Sequence, residues 1–195
     1  MIDFINSLNS LSPLRTVAVD DLKSEINNKS YKRGDFILNS GRVCRRLYFL
    51  NSGLLKLSSQ KYGNEFIMRF FSENSIFTGL DSYITQAKSE YSIITLEPTM
   101  VSYISHSKME FLCQKHHCIE TAFRKFMSIA SINMLKRISE MLEENATTSY
   151  NNFLNTNASI LQRISLGDLA SYLGITQVSL SRIRSKKSIL SFDKK

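Results

Sequence analysis

The stretch Ser165-Leu-Gly-Asp-Leu-Ala-Ser-Tyr-Leu-Gly-Ile-Thr-Gln-Val-Ser-Leu-Ser-Arg-Ile-Arg184 carries the densest set of local signals in the chain. Ser165 followed by Asp168 has capping-box spacing and starts a helix. Leu169, Ala170 and Leu173 supply its inner face, and the small Ala170 lets a second helix cross close above it. Gly174 allows the sharp turn, Ile175 plugs the corner, and Thr176 can cap the following helix through its hydroxyl. In that helix Leu180 and Ile183 turn inward. Gln177, Val178, Ser181, Arg182 and Ser185 are left outside, with Ser179 partly so. The segment therefore reads as a helix-turn-helix running from Ser165 to Lys187. Its outer face is small and polar with one long cation, able to enter a major groove: Gln suits adenine, Arg suits guanine, and Ser and Val suit phosphates or a thymine methyl. The candidate DNA-contacting set is Thr176, Gln177, Val178, Ser179, Ser181, Arg182 and Lys186. An ordinary helical hairpin would need only the turn glycine, not the other coincident features.

Charge distribution agrees. The chain has a formal charge of +8, and from Arg163 onward seven cations stand against two acids, a net +5. A basic end of this kind is either a solvated tail or a phosphate-facing surface. No apolar run approaches the ~18–20 residues of a membrane span, and the first residues lack a basic leader, so a cytoplasmic protein is expected. Three cysteines, Cys44, Cys113 and Cys118, do not make a disulfide framework.

Working outward, residues 1–32 suit short helices, with Phe4, Ile5, Leu8 and Leu11 on one face, Pro13 as a break, and a second stretch near Val19–Ile26. From about Tyr31 to Ile104 the pattern changes to short strands at Asp35–Leu38, Arg46–Leu50, Leu54–Ser58, Phe66–Phe71, Ser92–Leu96 and Met100–Ile104. They are punctuated by Gly34, Gly41, Gly53, Gly63 and Gly79. Such spacing predicts an antiparallel, jelly-roll-like β-roll. His106–Lys115 suits a short helix. Ile119–Glu144 predicts a helix about 39 Å long whose apolar stripe is too wide for one buried face. Pairing with a second copy accounts for the width; a long core helix within one chain is the alternative. The expected fold is α+β in two domains: a roll over 1–118, a dimerisation helix over 119–146, and a helix-turn-helix domain over 147–195.

The run SYNNFLNTNASILQRISLGDLASYLGITQVSLSRIRSKK resembles the C-terminal domain of Crp–Fnr transcriptional regulators. RGDFILNSG, LYFLNSGLLKL, YGNEFIMRFF and MVSYISHSKMEFL resemble that family's cyclic-nucleotide-binding-like roll. The resemblance implies a homodimer reading a near-palindromic operator in double-stranded DNA, with RNA polymerase as a further partner. It also places Gln177, Val178, Ser179 and Arg182 on base- and phosphate-contacting positions. A winged-helix type of domain is implied, yet little chain follows the recognition helix. The trailing wing is therefore expected to be reduced or absent, and any wing-like contact to be short or to come from a strand before Ser165.

Nucleotide-sensing members of that family hold the cyclic phosphate in a cassette with Gly-Glu near its start and an arginine near its end. Here the region is Phe77–Ser92. Leu80 follows Gly79 where the ribose acceptor would stand, and the arginine position falls on Ser89 or Glu90, depending on the direction of counting. Lys88 could supply a point charge but not a guanidinium fork. Tight binding of cyclic AMP or cyclic GMP is not expected. Cys113, His116, His117 and Cys118 have metal-compatible chemistry but crowd one short piece with no second pair of ligands, so no metal or cofactor is expected. No cysteine precedes Cys44, against an N-terminal iron–sulfur cluster. No catalytic motif stands out, so an enzyme is not expected. The alternatives are a nucleotide- or metal/redox-switched regulator on the same scaffold, or a protein-interaction module.

Overall fold

The computed structural model describes residues 3–192, with side chains through Ser185. Two short helices open the chain, α1 (Phe4–Leu11) and α2 (Thr16–Glu25). Eight strands follow: β1 (Asn27–Tyr31), β2 (Phe36–Leu38), β3 (Arg46–Ser52), β4 (Leu55–Lys61), β5 (Asn64–Phe71), β6 (Ile76–Phe77), β7 (Ser92–Thr95) and β8 (Thr99–Ser105). Helix α3 (Leu80–Thr85) lies between β6 and β7. The remainder is helical: α4 (His106–Lys115), α5 (His117–Glu143), α6 (Ala146–Thr156), α7 (Ala158–Leu161), α8 (Leu166–Leu173) and α9 (Gln177–Phe192).

The strands form two antiparallel four-stranded sheets, ordered β1-β8-β3-β6 and β2-β7-β4-β5. Each expected strand is present with small shifts at its ends. Strand β1 lay in the stretch expected to be helix-compatible. Its Asn-Asn-Lys-Ser is exposed and only Tyr31 is buried, so it pairs with β8 as an edge strand without an apolar alternation. Tyr62 and Gly63, at φ 53° and 78°, close the β4–β5 hairpin, with both central residues at positive φ as a type I′ turn requires. Gly53 (φ 110°) lies so close to β8 that a Cβ would stand 2.9 Å from the Thr99 backbone, which leaves no room for another residue.

Phe4 and Leu8 of α1 and Leu22 of α2 are buried in the core of the roll, with the Phe4 and Phe49 rings stacked 6.0 Å apart. Helix α5 changes character along its length. Ile119, Ala122 and Phe126 are buried against the roll, whereas Ile132, Leu135 and Leu142 are 51%, 65% and 81% exposed. With Ser139, also exposed, these positions are spaced 3, 4 and 3 apart, a heptad seam on the side away from the roll. No described helix is long and apolar enough to cross a membrane. Among the described residues no strand lies outside the roll, and α6 and α7 occupy the chain before Ser165. The expectation of a wing-like strand there is therefore corrected: residues 146–161 supply apolar Tyr150, Phe153 and Ile160 at helical spacing.

Candidate nucleic-acid interface

Helix α8 begins as its spacing requires. The Ser165 Oγ accepts the Asp168 N–H at 2.9 Å, and the Asp168 carboxylate accepts the Ser165 N–H at 3.4 Å. Gly174 ends the helix at φ 67°, its N–H returning to the Ala170 carbonyl. The Thr176 Oγ1 then accepts the Ser179 N–H at 3.1 Å and caps α9. Leu180 is buried with Leu169 and Ala170, and Ile183, Leu173 and Ile175 pack around them. Thr176, Gln177, Val178, Ser181, Arg182, Arg184 and Ser185 are exposed, while Ser179 is half-buried. Among the described residues no carboxylate pairs with Arg182 or Arg184. The side chains of Lys186 and Lys187 lie outside the described residues.

Three polar anchors, none visible in the sequence, seat this unit on the roll. Lys56 of β4 bridges Glu65 at 2.7 Å and Asp168 of α8 at 2.8 Å. Burial pulls the Lys56 pKa down and that of Asp168 up. The bonds they share, with Glu65 and Ser165 assisting, outweigh this and favour both charged forms. Arg163 reaches Glu73 with two parallel bonds of 3.0 and 2.7 Å, and also binds Glu97. The guanidinium holds the Glu73 carboxyl down at about 2. Arg137 of α5 stacks 3.7 Å from the Tyr172 ring centroid and donates to the carbonyls of Met68 and Tyr172. Beneath these anchors Phe70 of β5 meets Phe153 and Tyr172. Arg163, counted in the basic C-terminal excess, is thus committed to two carboxylates and is not a free cation of that excess.

The cassette residues are scattered. Gly79 precedes α3, and Leu80 turns into a groove between the roll, α5 and α6. Ser89 is buried, its Oγ accepting the Tyr91 N–H at 3.0 Å. Glu90 is exposed and meets Lys61 at 3.6 Å, and Lys88 is exposed beside a backbone bridge to Val43. None of Lys88, Ser89 and Glu90 lines the groove. The cysteine–histidine stretch is dispersed too: His116 binds Asp21 at 2.6 Å, His117 faces Glu120, and burial pushes the Cys113 thiol up to about 12. Asp21, hydrogen-bonded by Lys115 and then His116, is held below the usual carboxylate range.

Residues 28–116 match the family model of the cyclic nucleotide-binding domain. Curated proteins give no sequence match. Solved structures extend the likeness beyond the cyclic nucleotide-binding domain to most of the chain. FixK2 from Bradyrhizobium japonicum aligns with a TM-score of 0.72 at 16% identity, covering 85% of this chain and 86% of its own. The c-di-GMP responsive global regulator CLP from Xanthomonas campestris aligns at 0.71 and 15% identity, covering 91% and 93%. A transcriptional regulator of the Crp/Fnr family from Eubacterium rectale gives 0.73 and 16% identity, covering 90% and 84%. The fold is therefore that of Crp/Fnr regulators, and the groove between the roll, α5 and α6 takes up Leu80 but no residue from 88 to 90.

Proposed function

We propose that this chain is a sequence-specific, DNA-binding transcriptional regulator of the Crp–Fnr type. It acts as a homodimer in the cytoplasm, does not respond to cyclic AMP or cyclic GMP, and has no catalytic activity. The observation that carries this reading is the outer face of α9, where Gln177, Val178, Ser181 and Arg182 are exposed beside a capped, glycine-turned partner helix. Thr176, Gln177, Val178, Ser179, Ser181, Arg182 and Lys186 contact DNA in this proposal, Arg182 reading a base. The division into residues 1–118, 119–146 and 147–195 assigns sensing, dimerisation and DNA binding respectively. The exposed seam of Ile132, Leu135 and Leu142 supports pairing with a second α5, which presents two recognition helices to a near-palindromic site. RNA polymerase is the further partner that the family likeness suggests.

A mobility-shift titration against the region upstream of the chain's own gene tests the proposal. Arg182→Ala should cost about 1–3 kcal/mol of specific binding while leaving non-specific binding nearly intact. Equal affinity of wild type and variant for specific DNA would remove Arg182 from the reading surface. Leu135→Glu should yield monomers in sedimentation and weaken operator binding. A wild type that sediments as a monomer at micromolar concentration would refute the dimer.

A further inference from the structure

The groove that receives Leu80 has a volume of about 1160 Å³, somewhat above the roughly 300–1,000 Å³ of ordinary small-molecule sites. Leu57 and Phe71 of the roll, Leu80 and Ile84 of α3, and Phe126 and Met134 of α5 make its apolar walls. One lining residue does not belong to such a surface. Arg69 stands opposite Leu57 in the β4–β5 ladder and is half-buried. Among the described residues its guanidinium has no carboxylate partner; it lies 5.5 Å from the Phe71 ring centroid, and the Tyr172 phenol is a further electrostatic neighbour. Burial lowers its pKa, and only the neutral phenol of Tyr172, not a carboxylate, opposes that. None of the groove's acids pairs with Arg69: Glu140 faces Arg137 at 3.7 Å, Glu144 accepts from Asn152 at 2.7 Å, and Asp81 lines the groove from the first turn of α3 without an ion pair to it. A desolvated cation without a counter-ion is costly, and an anionic ligand would relieve it.

We infer that the groove between the roll, α5 and α6 binds an amphipathic anion, an extended apolar body with one carboxylate or phosphate head held by Arg69. A guanidinium suits either head through paired hydrogen bonds. Lys88, Ser89 and Glu90 are outside the groove, so the anion is held from β5 rather than from the cassette. The inference goes beyond the DNA-binding proposal, and its test contains no DNA, so either can fail without the other.

Calorimetry on the full chain with dodecanoate, below its micelle concentration, reads the site directly. Dodecanoate or dodecyl phosphate should bind one per chain, and the preferred one identifies the head group. Dodecyltrimethylammonium, with the same tail and opposite charge, should not bind. Loss of a charge-assisted pair in Arg69→Met should weaken binding roughly ten- to a hundredfold, and Arg69→Lys should weaken it less. Equal binding of the cationic surfactant, an unchanged Arg69→Met, or no binding of either anion would overturn the inference. Micromolar binding of cyclic AMP in place of both anions would overturn it together with the absence of a nucleotide response. Should Arg69→Met fail to give a normal thermal unfolding transition, the comparison of anionic and cationic ligands on the wild type decides.

Discussion

The core of the roll is large and mostly apolar, with Leu47, Phe49, Leu50, Leu55, Ile93 and Val101 fully buried. The core beneath the helix-turn-helix is small and borrowed. It consists of Tyr150, Phe153, Ile160, Leu169, Ala170 and Leu180 together with Leu54 of the roll, and Phe70 and Leu96 of the roll cover its edge. Around it stand the anchors of Lys56, Arg163 and Arg137. One region is held by burial, which is non-directional and hard to undo in part. The other is held by a few directional contacts that can be released together. Under the proposed function, a reading head that meets DNA in a defined orientation needs the second kind of attachment; its scaffold needs the first.

The largest expected effect separates the two cores. Phe49→Ala should cost about 3–5 kcal/mol, as for other buried phenylalanines, and should lower the denaturation midpoint of the whole chain. Phe153 is nearly as buried, at 3% exposure against 0% for Phe49, but Phe153→Ala should mainly loosen the C-terminal unit. Hydrogen exchange should then show loss of protection in α6 and α8 with β3 and β8 unchanged. Simultaneous loss in the strands would mean that the two cores unfold as one, and the comparison would break.

How far each region was legible in the sequence follows the same division. The helix-turn-helix was readable because its determinants are local: a cap three residues away, a turn glycine, inward residues three apart. The long helix and most strands were readable from periodicity. Polar β1 was not, since an exposed edge strand has no alternation to detect. Nor were the anchors. Lys56 and Asp168 are 112 positions apart, Arg163 and Glu73 90 apart, and nothing in either neighbourhood names the partner. Arg163 was accordingly grouped with the basic tail. Arg69 was missed for a related reason: a lone arginine in a strand becomes informative only when it proves to have no carboxylate partner.

A smaller effect sharpens the comparison through pH. Glu73 is lowered from 4.5 to about 2 by Arg163, so the pair's contribution is complete above pH 4.5 and is lost as the pH falls toward 2. Exchange protection in α8 should fall across that window, with the roll following only at greater acidity. Arg163→Met should cost about 1–2 kcal/mol at neutral pH, because the pair is partly exposed, and should flatten the α8 response to acid. An α8 response that is unchanged in the variant would assign the acid sensitivity to Asp168 and Lys56 instead.

The smallest expected effect lies at the turn between α8 and α9. Gly174 has φ 67° and no atom within 4 Å of where a Cβ would stand, so Gly174→Ala introduces backbone strain without a clash. Strain at a left-handed position costs about 1 kcal/mol. The roll should be unaffected, since Gly174 touches none of it. The turn sets the angle of α9 against α8, so operator affinity should fall while the midpoint of roll unfolding stays constant. Gly174→Asn provides the control, because asparagine tolerates the left-handed region better than alanine and should recover part of the loss. If alanine and asparagine prove equally harmful, backbone conformation is not the reason glycine occupies the turn, and a contact made there by DNA becomes the explanation to test.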